Sequence, residues 1–296
     1  MGVVLPGRVI PIEYVQLLVY GVVLGCILAL AAIGLSLTYG ILNFANFAHG
    51  DMLTLGAYFA FFFRIGMGLP ILWSLGLAML LTALASVVID KLLYQRLRRR
   101  GPVTLLIASV GVALIVRNLI LMGWGPNNQL LKQGVQFPYR VGGIVVKPDH
   151  ILIVCTAAAL ALSIHLFLRY TKLGKAMRAM SDNPDLAMVT GIDTRRVITW
   201  TWVIGGASVA AAGVMLGLDT LLTPEMGWAI LLPIFAAVIL GGIGSPYGAM
   251  AGGLIIGISQ ELATAWIPPA YKQVVAFAIM IAILLVRPSG IFNTRG

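Results

Sequence analysis

Residues 226–260 run for 35 positions without one charged side chain. As a single helix they would measure about 52 Å at 1.5 Å per residue, well beyond the roughly 30 Å of hydrocarbon in a bilayer. The run must therefore break, and LGGIGSPYGAMAGG at 240–253 supplies the glycines and the proline to break it. Each half is then short for a full crossing. Unwound backbone at membrane depth is tolerated only beside protein or water, so such interruptions point to a transport site.

Further uncharged apolar runs fill 14–36, 71–89, 151–168 and 197–218. Only 10% of the chain is charged and 60% is hydrophobic, whereas a soluble domain carries about a quarter charged residues. An outer-membrane barrel would show segments of about ten residues with alternating polarity, and these runs do not alternate. The expected class is all-α: a polytopic helical membrane protein with about eight to nine transmembrane or partial spans and broken helices. Helices are expected near 14–38, 50–66, 70–95, 103–123, 150–169, 197–219, 227–241, 248–266 and 271–287.

The net charge of +10 is concentrated. Lys91, Arg96, Arg98, Arg99 and Arg100 form one cluster, Arg169, Lys172, Lys175, Arg178, Arg195 and Arg196 a second, and Arg287 and Arg295 close the chain. Thirteen of the twenty basic residues thus fall in three segments. Positive loops stay in the cytoplasm, which turns the loops 91–101 and 169–197 and the C-terminal tail inward and 124–149 outward. No basic segment is interleaved with stacking aromatics, which argues against nucleic acid. Cys26 and Cys155 fall in separate apolar spans and define no disulfide framework. MGVVLPGRVIPIEYV lacks the charged n-region and cleavage site of a removable signal, so the first span is expected to stay. Counting spans back from loop 91–101 puts the N-terminus outside if 50–66 crosses fully, and inside if 38–66 is a partial or broken helix.

A second interruption is NFANFAHGD at 43–51. Asn43, Asn46, His49 and Asp51 facing lipid would cost several kcal/mol, so they face the bundle interior, a water-filled cavity or the interface. On a helix Asn43, Asn46 and Gly50 share one face. One reading is a polar wall of a translocation path, with a half-helix beginning near Asp51. The other is an inner-surface loop with Asp51 as N-cap of the next helix. Both readings can hold together, and Asp51 is the expected cap. Arg117 interrupts an apolar run and must pair or snorkel; the nearby Trp124 marks an interface, so snorkelling is expected. Glu261 reads as an interfacial carboxylate, with a buried path residue or a partner for Arg117 as the sharper alternatives. His150 and His165 receive no role. The abundant glycines allow close helix approach. The segment 125–149, rich in proline and glycine, reads as a short hairpin or surface loop connecting two spans, with a docking surface for a soluble partner on that side as the alternative.

In RYTKLGKAMRAMSDNPDLAMVTGIDTRRV (169–197), Asn183-Pro184 stops one helical piece. Asp185, Leu186 and Ala187 begin a short amphipathic one, which Gly191 ends. The spacing D-L-A-x-x-x-G resembles the E-A-A-x-x-x-G core of the loop by which ABC-importer permeases dock their ATPases, with leucine in place of the first alanine and no I-x-L-P sequel. The chain has no G-x-x-x-x-G-K-[ST], HExxH or GxSxG motif and no metal-ligand cluster. It is expected to be no enzyme and to need no cofactor or metal.

GLSLTYGILNFANFAHGDMLTLGAY (34–58), GKAMRAMSDNPDLAMVTGID (174–193) and PIFAAVILGGIGSPYGAMAGGLIIG (233–257) resemble, in the same order, the LivH/LivM permeases of branched-chain amino-acid ABC importers. The resemblance covers nearly the whole chain, and the length suits LivH better than LivM. It implies one transmembrane permease domain over 1–296, with a periplasmic loop at 124–149 and a cytosolic ATPase-coupling loop at 169–197. It also implies an inner-membrane subunit with a cytoplasmic C-terminus, paired with a second permease, two cytosolic ATPases that hydrolyse the ATP, and a periplasmic binding protein. The cargo would be branched-chain or neutral amino acids, with urea or short amides as the alternative. An ion-coupled secondary transporter is the competing class; its expected inverted repeat is reduced here to an echo between H-G-D-M at 49–52 and Y-G-A-M at 247–250. Asn43, Asn46, His49, Asp51, Gly242 and Ser245 are the expected path residues, and Asp185, Leu186, Ala187, Gly191 and Asp193 the expected coupling residues.

Overall fold

The structure, a computed structural model, describes residues 2–5, 8–131, 137–287 and 289–292. Arg295 of the basic C-terminal tail, and 132–136 of the 124–149 loop, lie outside the described residues. The helices are α1 (Ile12–Leu42), α2 (Ala48–Phe61), α3 (Ile71–Ile89), α4 (Gln95–Leu97), α5 (Pro102–Trp124) and α6 (Pro148–Tyr170). They continue with α7 (Lys172–Asp182), α8 (Pro184–Val189), α9 (Thr194–Asp219), α10 (Met226–Gly241), α11 (Pro246–Ala263) and α12 (Lys272–Val286). A π-turn at Phe62–Gly66 extends α2, and another at Asp90–Tyr94 joins α3 to α4. All nine helices expected from the apolar runs form, with ends shifted by a few residues. Among the described residues six helical stretches are long and apolar enough to cross a membrane, and α10 is a shorter apolar helix.

α1 and α9 lie at the centre of the bundle, while α6 and α12 are peripheral and mostly exposed. The contact between α1 and α11 runs backbone to backbone. A Cβ on Gly21 would sit 2.7 Å from the Ile258 Cα, and one on Gly25 3.0 Å from the Leu254 Cα. Lipid offers apolar side chains no incentive to associate, so close van der Waals packing through small residues holds these helices.

The long apolar run breaks where glycine and proline predict. α10 ends at Gly241, Gly242 and Gly244 take φ of 99° and 84°, and α11 begins at Pro246. Side chains disfavour that left-handed region and glycine does not. Ser245 caps α11 by accepting from the Gly248 N–H at 3.1 Å. The Ile291 N–H donates to the Leu240 carbonyl at 2.9 Å, so the C-terminal tail satisfies one orphan carbonyl of α10. Inside α10, Pro233 has no N–H for the Ala229 carbonyl. Gln273 of α12 supplies the missing donor at 2.9 Å.

Segment 125–149 contains the expected hairpin. Strands β1 (Tyr139–Val141) and β2 (Ile144–Val146) pair antiparallel across Gly142-Gly143, both at positive φ, which suits a two-residue turn. The Gln16 side chain clamps this hairpin to α1, donating to the Val145 carbonyl at 2.9 Å and accepting from the Val145 N–H at 2.7 Å.

Candidate functional site

The interruption at 43–51 is not helical throughout. Asn43 ends α1 in the left-handed region, at φ 52°, and is exposed. Asn43, Asn46 and Gly50 therefore do not share a helix face. Asn46 is buried, and its Oδ1 accepts from the Ala48 N–H at 3.1 Å and from the Tyr94 hydroxyl at 3.3 Å. Asn46 therefore serves the start of α2, and Asp51 is not the cap. The Phe47 N–H finds the Ser109 hydroxyl of α5 at 3.0 Å. Tyr94 stacks on Trp202 of α9 with ring centroids 5.3 Å apart, tying the interruption to the π-turn at 90–94.

His49, 3% exposed, lies 2.9 Å through Nε2 from the Ala31 carbonyl of α1. A carbonyl can only accept, so Nε2 carries the proton. Asp51 is fully buried in the first turn of α2. Its two oxygens accept from Arg117 Nε at 2.9 Å and Nη2 at 3.1 Å. The guanidinium also lies 5.0 Å from the centre of the Trp228 ring at the start of α10. Arg117 therefore does not snorkel. A bidentate partner and an aromatic face inside the bundle are stronger attractions than the interface. Nor does it pair with Glu261, which meets Lys272 Nζ at 2.7 Å. Sequence reasoning missed Arg117 as the partner of Asp51; a lone arginine in an apolar run was the signal, but its target lies 66 residues earlier.

Arg117 and Trp228 bring the two short helices together. The Gly227 N–H at the start of α10 donates to the Thr54 hydroxyl at 3.0 Å, and Thr54 donates to the Gly50 carbonyl at 3.3 Å. A Cβ on Gly50 would fall 2.5 Å from the Gly227 oxygen. The N-terminal turns of α2 and α10 thus touch inside the bundle, a close approach that bare backbone allows.

The second interruption lies elsewhere. Gly244 packs against Gly40 near the end of α1, where a Cβ on Gly40 would be 2.9 Å from the Gly244 Cα. Ile243, Gly244 and Ser245 line a cavity of about 260 Å³ shared with α1, the end of α6, and α7. Ser245 reaches this cavity, and Gly242 is buried beside it without lining it. His49 and Asp51 do not line it.

In the 169–197 loop, Asn183 caps α8 through a 3.0 Å acceptor contact with the Leu186 N–H. Pro184 is its first residue, and Asp185 lies in its first turn. The helix therefore starts one residue earlier than the sequence suggested. Gly191 follows at φ 83°, and Asp193 caps α9 by accepting from the Arg196 N–H at 3.1 Å. Ala187 is buried against the bundle, while Leu186 and Val189 are 61% and 85% exposed.

A family profile described as "Branched-chain amino acid transport system / permease component" matches residues 17–284. The chain belongs to this family. It is 37% identical to the high-affinity branched-chain amino acid transport system permease protein LivH of Escherichia coli K12, over 95% of this chain and 96% of the relative. The LivM permease protein of the same system is 25% identical over 88% of this chain and 66% of its own length. Among solved structures, "PsaBC from Streptococcus pneumoniae in complex with Fab" superposes with a TM-score of 0.52 at 14% identity, covering 93% of this chain and 91% of that chain. That likeness concerns the fold alone. The family assignment and the apolar helices make the protein a multi-pass membrane permease.

Proposed function

We propose that the protein is one of two permease subunits of an ATP-driven importer for branched-chain or neutral amino acids in the bacterial inner membrane, with its C-terminus cytoplasmic. The observation that carries the cargo class is the similarity over nearly the whole chain to LivH. The similarity to LivM supports a second, related permease as partner. Two cytosolic ATPases and a periplasmic binding protein complete the assembly.

The coupling reading rests on α8. Leu186, Met188 and Val189 expose apolar surface on a short helix at the basic end of the bundle. Exposed apolar patches on such elements mark protein contacts. Asp185, Leu186, Ala187, Gly191 and Asp193 shape and present this helix to an ATPase, and α7 joins it to the bundle. ATP-driven closure of the ATPases moves α8, and α7 carries that movement to the break at Gly242–Ser245. Asn43, Asn46, His49 and Asp51 act as hinge or path groups at the other break, where α2 pivots against α1, α5 and α10.

Reconstitution with the second permease, the ATPases and the binding protein tests this reading. The expected result is ATP-dependent leucine uptake and co-purification of two nucleotide-binding subunits. Uptake of urea or acetamide in preference to leucine would redirect the cargo. Uptake by the lone chain on an ion gradient without ATP would overturn the class.

A further inference from the structure

α6 packs against α1, α7 and α9 and leaves a groove of about 370 Å³ towards α11. Ala158, Ala161 and Leu168 of α6 form one wall, Tyr247 and Met250 of α11 the other, and the buried Ile33 of α1 the floor. Leu162 and Tyr247 on the rim are 58% and 45% exposed, so the groove opens on the outside of the bundle. Between Ala158 and Leu168 it follows α6 for ten residues, about 15 Å at 1.5 Å per residue and half the roughly 30 Å of hydrocarbon in a bilayer. It is as long as one leaflet is deep.

One end of the groove lies at the membrane boundary. Tyr247, in the first turn of α11, meets His165 edge-on with ring centroids 5.4 Å apart, and tyrosine favours the level of the headgroups. Arg169 in the last turn of α6 and Lys172, Lys175 and Arg178 on α7 are exposed at this end. Leu168, Pro246 and Tyr247 also line the cavity beside Ser245, so the two hollows join. Arg178 lines that cavity, and the Ser36 hydroxyl is buried there without a hydrogen-bond partner. Buried hydroxyls are nearly always satisfied, and phosphate and ester oxygens accept from both groups. Asp182 on the same wall is already engaged.

The shape selects the occupant. About 370 Å³ spread over about 15 Å leaves a mean section of about 25 Å², which admits a single hydrocarbon chain and not a helix about 10–12 Å across. Basic groups between helices at headgroup level attract anionic lipid. We infer that the groove between α6 and α11 holds one acyl chain of an anionic phospholipid from the cytosol-side leaflet, with its phosphate on Arg178 and the neighbouring lysines of α7. The side of the membrane rests on the import reading; the groove and its ligand class do not.

The test places the assembled importer in nanodiscs with phosphatidylglycerol carrying a mid-chain diazirine, and maps the photo-crosslinks by mass spectrometry. Crosslinks are expected on residues 158–168 and 246–250 at least fivefold above those on the exposed face of α3. The same probe on phosphatidylcholine, whose choline answers its own phosphate, is expected to label the groove at least threefold less. Ala161→Phe fills the groove and is expected to lower its labelling at least fivefold, while Arg178→Gln is expected to abolish the headgroup preference. Excess glycerol 3-phosphate is expected to leave labelling unchanged. Labelling spread evenly over α3 and α6, equal labelling by the two headgroups, or displacement by glycerol 3-phosphate overturns the inference. The crosslink positions and the headgroup comparison on the unaltered importer decide the matter if a variant fails to assemble. Labelling needs no transport, so a labelled groove in an importer that takes up no leucine upholds the inference and sinks the import reading alone.

Discussion

Asp51 on α2 and Arg117 on α5 form a two-point ion pair inside the apolar bundle, with donor–acceptor distances of 2.9 and 3.1 Å. The carboxylate is fully buried and the arginine side chain 16% exposed. Each charge makes the other tolerable. Removing one partner leaves an uncompensated charge in a medium that cannot hydrate it, at a cost of about 3–5 kcal/mol. Asp51→Asn and Arg117→Gln are each expected to lower the thermal midpoint in detergent sharply. The double replacement is expected to be less damaging than the sum of the two, as a double-mutant cycle would record.

Gly50 and Gly76 offer a matched contrast. A Cβ at Gly50 would meet the Gly227 backbone at 2.5 Å, whereas one at Gly76 meets nothing within 4 Å. Gly50→Ala should force α2 from α10 and cost about 1–3 kcal/mol. Gly76→Ala should be neutral or stabilising by up to about 1 kcal/mol through helix propensity. Unfolding midpoints of the two variants, compared in one detergent, check this.

At Gly191 the constraint is conformational. Its φ of 83° suits glycine, and the space around a Cβ is open, so a β-branched residue strains the backbone without clashing. Gly191→Val is expected to distort the α8 exit, leaving ATP hydrolysis running while leucine uptake falls several-fold. Uptake equal to that of the unaltered importer would refute the coupling assignment.

The Pro233 and Gln273 positions should be energetically coupled. Gln273 answers the carbonyl that Pro233 leaves free. Gln273→Leu is expected to cost about 1 kcal/mol in the unaltered chain, and less in a Pro233→Ala background, where the helix supplies its own donor. Additive losses would show that the contact carries no weight.

The pattern of apolar runs was enough to place every long helix, because helix formation in lipid is local: each segment must satisfy its own backbone. The breaks were legible for the same reason. Glycine and proline act on their own backbone, and Gly242, Gly244 and Pro246 stand where the run of 226–260 was too long to continue. The hairpin at Gly142-Gly143 and the short helix ending before Gly191 follow the same local logic.

Partnerships were not legible. Asp51 looked like a cap and Arg117 like a residue reaching for the interface, yet they meet each other. Asn46 looked like one face of a helix and instead accepts from the Ala48 N–H that opens the next one. Ser36 was one small residue among many in α1 until its hydroxyl proved to line a cavity with α7. The sequence by itself determined where this chain crosses lipid and where it unwinds, since those follow from length and backbone chemistry within each segment. Only the tertiary structure decided which buried polar group answers which, because that depends on how helices far apart in the chain pack together.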